Sequence, residues 1–194
     1  MRSYPRLAAD PGRIVANADV PQGELHVALF SAPANHQPMD EATVYLAAST
    51  ATPGWSRHHV EISYAARTQV VQTARRKSVL GYAAASLPAT DAQTTVEVVL
   101  HDPDQWLVSC SEEDLKLGDN LAMIGNEVVQ FGEATSIGAG RFLISRLARG
   151  LRGTAAAHHS SGEPFVLIER SALQPITLPI WVLQSPIRAS AIKR

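Results

Sequence analysis

Asn120 to Phe131 reads NLAMIGNEVVQF, two mostly apolar runs separated by Gly125-Asn126. Both residues at that break tolerate positive φ, so the spacing predicts strands over Asn120 to Ile124 and Glu127 to Gly132 joined by a tight hairpin turn. Within the second strand the order from Glu127 to Phe131 suggests polar and apolar positions alternating on the two faces. Outward from this hairpin the chain repeats the same style. Thr94 to His101, TTVEVVLH, is rich in β-branched residues and stops at Asp102-Pro103-Asp104, where proline cannot donate to a ladder. Further strands are expected at Glu24 to Phe30, Thr43 to Ala48, His59 to Tyr64, Val79 to Ala84, Arg141 to Leu147, Pro164 to Glu169 and Ile176 to Leu183. Gly138-Ala139-Gly140 marks another turn.

Many short strands at close spacing imply an all-β fold, mostly antiparallel, a sandwich or barrel with at most one or two short helices. The best helix signal is Ser111-Glu112-Glu113-Asp114, a serine cap followed by a carboxylate three residues on, with Gly118 placed to end it. Thr68 to Lys77 reads as strand or loop. In domain terms, residues 1–20 look like a linker-like lead-in. Residues 21–185 form the β domain, with 87–93 either a subdivision point or a long hairpin loop. Residues 186–194 read as a frayed tail.

Composition narrows the function. The 194 residues carry 17 basic and 18 acidic side chains, a formal charge of −1, so the molecule as a whole is not built to seek nucleic acid or an anionic surface. The N-terminus lacks the apolar stretch of a secretory signal, and no run is long enough to span a membrane as a helix. With Pro5, Pro11 and Gly12 it reads like part of something longer. One cysteine, Cys110, excludes an internal disulfide and a multi-cysteine zinc site, and reads as a partly buried apolar thiol.

No catalytic, cofactor or metal signature stands out. His58-His59 and His158-His159 are adjacent pairs, and neighbours on a strand face opposite ways, so they read as surface or turn histidines rather than paired ligands. Asp102 and Asp104 could serve a hard cation, but a strand-ending turn accounts for them more simply. Ser160 and Ser161 beside the histidines lack a nucleophile elbow, and Glu112 and Glu113 read as solvated. No glycine-rich segment opens a helix after a strand as a dinucleotide site requires. Two groups remain as binding candidates. Arg146, Arg149 and Arg152 recur every third residue in Ser145 to Thr154, SRLARGLRGT, where Gly150 and Gly153 argue for a turn between strands and the arginines suit a partner or an anion. Trp55, Trp106 and Trp181 are the positions from which a sugar platform could be built.

Three segments taken together carry a family likeness. NLAMIGNEVVQF, SRLARGLRGT and His158 to Leu167, HHSSGEPFVL, resemble the C-terminal β region of the tail-hub, or host-specificity, proteins of gene transfer agents and siphophage-like elements. There an A-x-I-G-x-E-(V/L)-(L/I)-Q-F strand pair precedes an R-L-x-R-G-x-R-G-T turn and an H-x-x-G-E-x-F-V-L strand. The likeness is strongest from roughly Val79 to Leu178, with one departure, the doubling of the histidine at His158 and His159. It implies a non-enzymatic structural component of a tail tip or baseplate hub, a virion component of the particle tail that is cytoplasmic during assembly. It also implies other tail proteins as partners, a homotrimeric arrangement and contact with the cell surface. The alternatives are a carbohydrate-binding receptor-recognition module and, more remotely, a hydrolase using His158 or His159 with a distant acid.

Overall fold

The computed structural model describes residues 15–16, 25–31, 41–52, 55–89 and 95–192. Among the described residues the protein is mostly β, 52% strand against 9% helix. The strands are β1 (Val15–Ala16), β2 (His26–Phe30), β3 (Glu41–Ser49), β4 (His59–Tyr64), β5 (Arg67–Gln72), β6 (Leu80–Ala83), β7 (Val96–Leu100), β8 (Leu121–Ile124), β9 (Glu127–Gly138), β10 (Arg141–Leu151), β11 (Pro164–Leu167), β12 (Gln174–Pro179) and β13 (Ile187–Ala191). One short helix, α1 (Glu112–Leu117), stands among them. Its Ser111 capping box and left-handed Gly118 occupy the predicted places.

Six strands close into an antiparallel barrel in the order β10-β7-β6-β11-β8-β9. The other seven form two sheets, β1-β2-β3-β12 and β13-β4-β5. All the barrel strands come from one unbroken stretch of chain, from Leu80 to Leu167, so the barrel is an excursion from a sandwich whose strands precede and follow it. Both expected architectures, sandwich and barrel, are present together.

Three cores hold this arrangement. Inside the barrel, Phe131, Phe142 and Phe165 pack with Val98, Ile124 and Ile144, all fully buried. Truncating one of these rings to alanine would cost about 3–5 kcal/mol. Between the two sheets lie Val27, Leu29, Val44, Leu46, Val60 and Ile62. Between the barrel wall and the β2–β3 face lie Ala28, Phe30 and Ala47 against Leu80, Met123, Val128 and Val166. Strand β2 is therefore covered on both sides, which is why its five residues HVALF are all buried and show no alternation. Phe165 and Leu167 share the barrel interior while Val166 faces the sandwich, as the period of two requires.

The polar seam sits where the chain passes between the two units. Ser78 Oγ donates to Ala172 C=O at 2.6 Å and accepts from Ala48 N–H at 3.0 Å. Gln105 Nε2 donates to Ser78 C=O at 2.9 Å. Buried Asp102 pairs with Lys77, and its Oδ1 accepts from Asp104 N–H at 3.1 Å. The Asp102-Pro103-Asp104 turn thus spends its carboxylate on the fold.

Several expected boundaries move. The predicted 186–194 frayed tail contains β13, which pairs with β4 from Ile187↔Tyr64 to Ala191↔Val60. Residues 87–89 and 95 belong to the connection between neighbouring barrel strands β6 and β7, and the change from sandwich to barrel strands falls between β5 and β6. Residues 90–93 lie outside the described set, as does the 1–20 lead-in except Val15–Ala16, which pair with β2. The strand expected through Leu183 ends at Pro179, and Ile180–Gln184 forms a 3₁₀ turn carrying Trp181. Arg67–Gln72 is strand and the rest of the 68–77 segment is not.

At Gly81 the barrel closes so tightly that a Cβ would lie 2.1 Å from the Val99 carbonyl oxygen and 2.8 Å from Leu100 Cα. Both obstacles are backbone, so they cannot swing aside. Gly81→Val is expected to destabilise the protein by about 3 kcal/mol or more, read as a lower urea midpoint with an unchanged slope. An unaltered midpoint would mean the barrel seam is looser than described.

Candidate functional site

The most concentrated chemistry in the molecule gathers at the start of β9. Glu127 opens that strand directly after the Gly125-Asn126 turn, where Gly125 alone adopts positive φ (55°), the pattern of a II′ turn. A Cβ at Gly125 would sit 2.1 Å from Glu163 Oε2 and 3.1 Å from His159 Nδ1, so the glycine is also what lets two later side chains approach.

Glu127 is 1% exposed and its two carboxylate oxygens accept five hydrogen bonds. Arg149 donates from Nε to Oε1 at 2.6 Å and from Nη2 to Oε2 at 2.7 Å, a bidentate pair. The Gly150 N–H reaches Oε1 at 2.7 Å and the Ala157 N–H reaches Oε2 at 3.0 Å. His159 Nε2 lies 2.9 Å from Oε2. The other ring nitrogen, Nδ1, lies 2.6 Å from Glu163 Oε2, and Glu163 Oε1 accepts from Ser160 N–H at 2.9 Å.

Two carboxylates on opposite nitrogens of one ring favour the doubly protonated imidazolium. Burial works against charge on His159, but the bonds to Glu127 and Glu163 outweigh it and hold its pKa above 6.5. Burial likewise disfavours charge on Glu127. The hydrogen bonds from His159, Arg149, Ala157 and Gly150 reverse that and bring its pKa down to about 2. With the ring protonated the cluster pairs two carboxylates with two cations, and Glu127, Arg149 and His159 are buried while Glu163 is 31% exposed.

Its mechanical role follows from its partners. The 12 residues between β10 and β11 carry no strand or helix of their own, and a connection of that length needs fixing. Ala157 is held by Glu127 and by Arg149 Nη2, which donates to its carbonyl at 2.7 Å. His159 exchanges both backbone bonds with Leu87, Ser161 Oγ donates to Ala84 C=O, and Gly162 N–H to Ala83 C=O. Thr154 Oγ1 donates to Leu151 C=O at 2.7 Å and accepts from Val128 N–H at 3.0 Å. The loop is pinned along its length to β6, β9 and β10.

The three candidate arginines have three different fates. Arg149 is buried on Glu127. Arg146 is exposed and pairs with Glu112 at 3.1 Å. Arg152 is exposed and has no ion pair among the described residues. They do not converge on one anion. Nor is SRLARGLRGT chiefly a turn: Ser145 to Leu151 continues β10, bulged at Gly150 with φ 61°, and only Arg152 and Gly153 turn. Arg146 holds φ 55° inside the strand, its side chain lying across Gly132, where a Cβ would come within 3.2 Å of it.

The tryptophans are likewise dispersed. Trp55 is half-buried against the sandwich core and donates to Ala74 C=O at 3.2 Å. Trp106 is 61% exposed, with its ring set edge-on to Phe142 at 5.0 Å. Trp181 is exposed on the 3₁₀ turn. Of the adjacent histidines, His158 is exposed and His159 is buried on a bridge to Leu87, so the reading as surface or turn histidines does not hold for His159. Glu127 also departs from expectation, because Glu127, Val128 and Val129 are all buried and the strand does not alternate there. Cys110 is half-buried beside Asn120, whose Nδ2 lies 3.2 Å from Sγ. No group of three or more potential metal ligands occurs among the described residues.

Sequence reading missed Glu127 and Glu163 as site residues. The available signal was a carboxylate opening a run of apolar residues, and a histidine and glutamate at i and i+4.

The family described as Rcc01698-like, C-terminal, matches residues 78–166. That span is the barrel, beginning two residues before β6 and ending one before the end of β11, and it contains the whole Glu127 cluster. No curated protein and no solved structure matches the chain.

Glu127→Gln leaves the Arg149 guanidinium without its counter-charge and His159 with Glu163 alone, and is expected to cost about 3–5 kcal/mol in urea unfolding at neutral pH. His159 adds a sign test. A histidine whose folded pKa is raised stabilises fully below its ordinary value and loses that contribution as pH rises through the folded value. The stability gap between the parent and His159→Gln should therefore shrink as pH rises above the ordinary histidine value of 6.5 and through the raised folded value. A gap that widens over that range would mean the ring is neutral in the fold.

Proposed function

We propose that the chain is a non-enzymatic structural domain of the tail tip or baseplate hub of a phage or gene transfer agent, contributing to tail assembly and to attachment at the host surface. The observation that carries this reading is the fate of the residues behind the family likeness. Gly125, Glu127, Arg149, Gly150, Thr154, His159, Gly162 and Glu163 are letters of the three motif segments, and they assemble the buried lock of the barrel. A motif whose polar positions meet one another, rather than a substrate, belongs to a scaffold.

The same geometry argues against a hydrolase working through His159. Both ring nitrogens are held by carboxylates and the side chain is 2% exposed, so it has no lone pair to offer a substrate proton. Work at surfaces remains, with other tail proteins and further copies of the chain in a homotrimer as the partners. Trp106, Val108, Leu117, Ile180 and Trp181 are exposed apolar groups available for such contacts.

An antibody raised against the chain is expected to decorate tail tips of purified particles in negative-stain electron microscopy. Tailed particles that carry no label anywhere, with the chain absent by mass spectrometry, would sink the proposal. The carbohydrate-binding reading has its own support in Trp106, the most exposed of the three indoles. If it holds, the protein is retained on a column of host surface polysaccharide and Trp106→Ala abolishes retention with little change in Tm. Equal elution of both proteins at the void volume would dismiss it.

A further inference from the structure

Strand β5 is an outer edge of its sheet, paired only with β4. Its hairpin register alternates hydrogen-bonded and open pairs. The two-residue turn after Tyr64 makes Tyr64 and Arg67 a bonded pair, and Thr73 N–H donates to His58 C=O at 2.9 Å at the other end. Counting by two between these points, Gln69 and Val71 bond to β4. Thr68, Val70 and Gln72 direct their backbone N–H and C=O groups outward, where no strand meets them among the described residues.

Natural sheets protect such an edge with proline, lysine, a bulge or a short strand. The edge strand β12 carries Pro175 and Pro179, and β1 is two residues long. Strand β5 reads RTQVVQ over six residues in unbroken register, with Val70 55% exposed. It carries no proline, lysine or bulge, and no described element covers it.

Charge surrounds this edge with one sign. Arg67 lies on the strand, Arg57 donates to Gln72 Oε1 at 3.0 Å, and Arg75 and Arg76 follow the strand in sequence, Arg76 donating to Ser171 Oγ at 3.3 Å. At the turn end Arg67 and Arg188 line a shallow depression of about 520 Å³ with Tyr64 and Thr68. None of these five arginines has a carboxylate partner among the described residues, and Glu61 is the one acidic residue on β4, β5 and β13.

From the open ladder and the unpaired arginines together, we infer that β5 is a docking edge for an extended acidic segment of a partner protein, which adds to the sheet as a further strand beside β5. Backbone bonds to Thr68, Val70 and Gln72 supply register, the partner's carboxylates meet the arginines at both ends, and a β-branched residue covers Val70. A nucleic acid would satisfy the arginines but not the ladder, and the edge offers no row of aromatic rings for bases to stack on. This inference does not depend on the tail-hub reading.

The probe is a fluorescein-labelled peptide, EVTVETVE, titrated with the whole chain at low salt and followed by anisotropy. Saturable binding is expected, with slowed amide hydrogen exchange at Thr68, Val70 and Gln72. A peptide N-methylated at alternate amides should bind at least about tenfold more weakly. The double variant Arg57→Glu, Arg67→Glu should lose a similar factor. The N-methylated control leaves the protein untouched, so loss of fold cannot mimic its effect. Equal affinity for both peptides, tighter binding of an oligothymidylate or of phosphatidylglycerol vesicles, or no binding of the acidic peptide would each overturn the proposal.

Discussion

One carboxylate organises the barrel. Glu127 sits where β9 leaves its hairpin, β10 ends and the long connection to β11 passes overhead, and it accepts bonds from the last two. A buried carboxylate with no partners would be too costly to keep charged. Here five donors, two of them on the Arg149 guanidinium and one on a histidine, make the charged form the stable one. Because the five donors sit on Arg149, Gly150, Ala157 and His159, the site is complete only when β10 has reached its bulge and the connection has folded back over Glu127. Electrostatics does for this loop what a disulfide would do in a chain with more than one cysteine.

That lock belongs to one unit of a two-unit architecture. The barrel is a self-contained stretch of chain, closed on itself and filled by phenylalanines, while the sandwich is assembled from strands on either side of it. The match over 78–166 falls on the barrel. The junction joins a polar seam of Ser78, Lys77, Asp102 and Gln105 to an apolar contact, where Ala28, Phe30 and Ala47 lie against Leu80, Met123, Val128 and Val166 of the barrel wall. The same division shows in the charges. Residues 78–169 are rich in aspartate and glutamate, whereas Arg67 and Arg188, without carboxylate partners among the described residues, lie on the sheet of β4, β5 and β13 and Arg57 and Arg75 flank it in sequence. A near-zero total charge hides two surfaces of opposite character, so the whole-chain value of −1 says little about what either surface attracts.

Much of the fold was legible in the sequence because its punctuation is local. The Gly125-Asn126 turn, the Asp102-Pro103-Asp104 stop and the Ser111 cap each act over a few residues, and the strands between them follow. What could not be read locally depends on distant partners. Gly150 looks like a turn residue until β9 is alongside to carry the bulge, and β13 looks like a tail until β4 offers it a ladder. The candidate site was the least legible. Period-two reasoning sent Glu127 outward, and only the approach of Arg149 and His159 from 22 and 32 residues away makes an inward carboxylate tolerable. Arg146, Arg149 and Arg152 share a spacing in sequence but no site in space, whereas Glu127, Arg149, His159 and Glu163 share a site without a spacing.

The functional reading turns on the state of that cluster, since a neutral, self-satisfied lock suits a scaffold and a histidine with a free nitrogen would suit catalysis. Nitrogen-15 NMR of the His159 ring at neutral pH separates the two. The account predicts two ring N–H signals in slow exchange with solvent and a titration midpoint above 6.5, as an imidazolium between two carboxylates requires. A single protonated nitrogen, with a midpoint below 6.5, would contradict it.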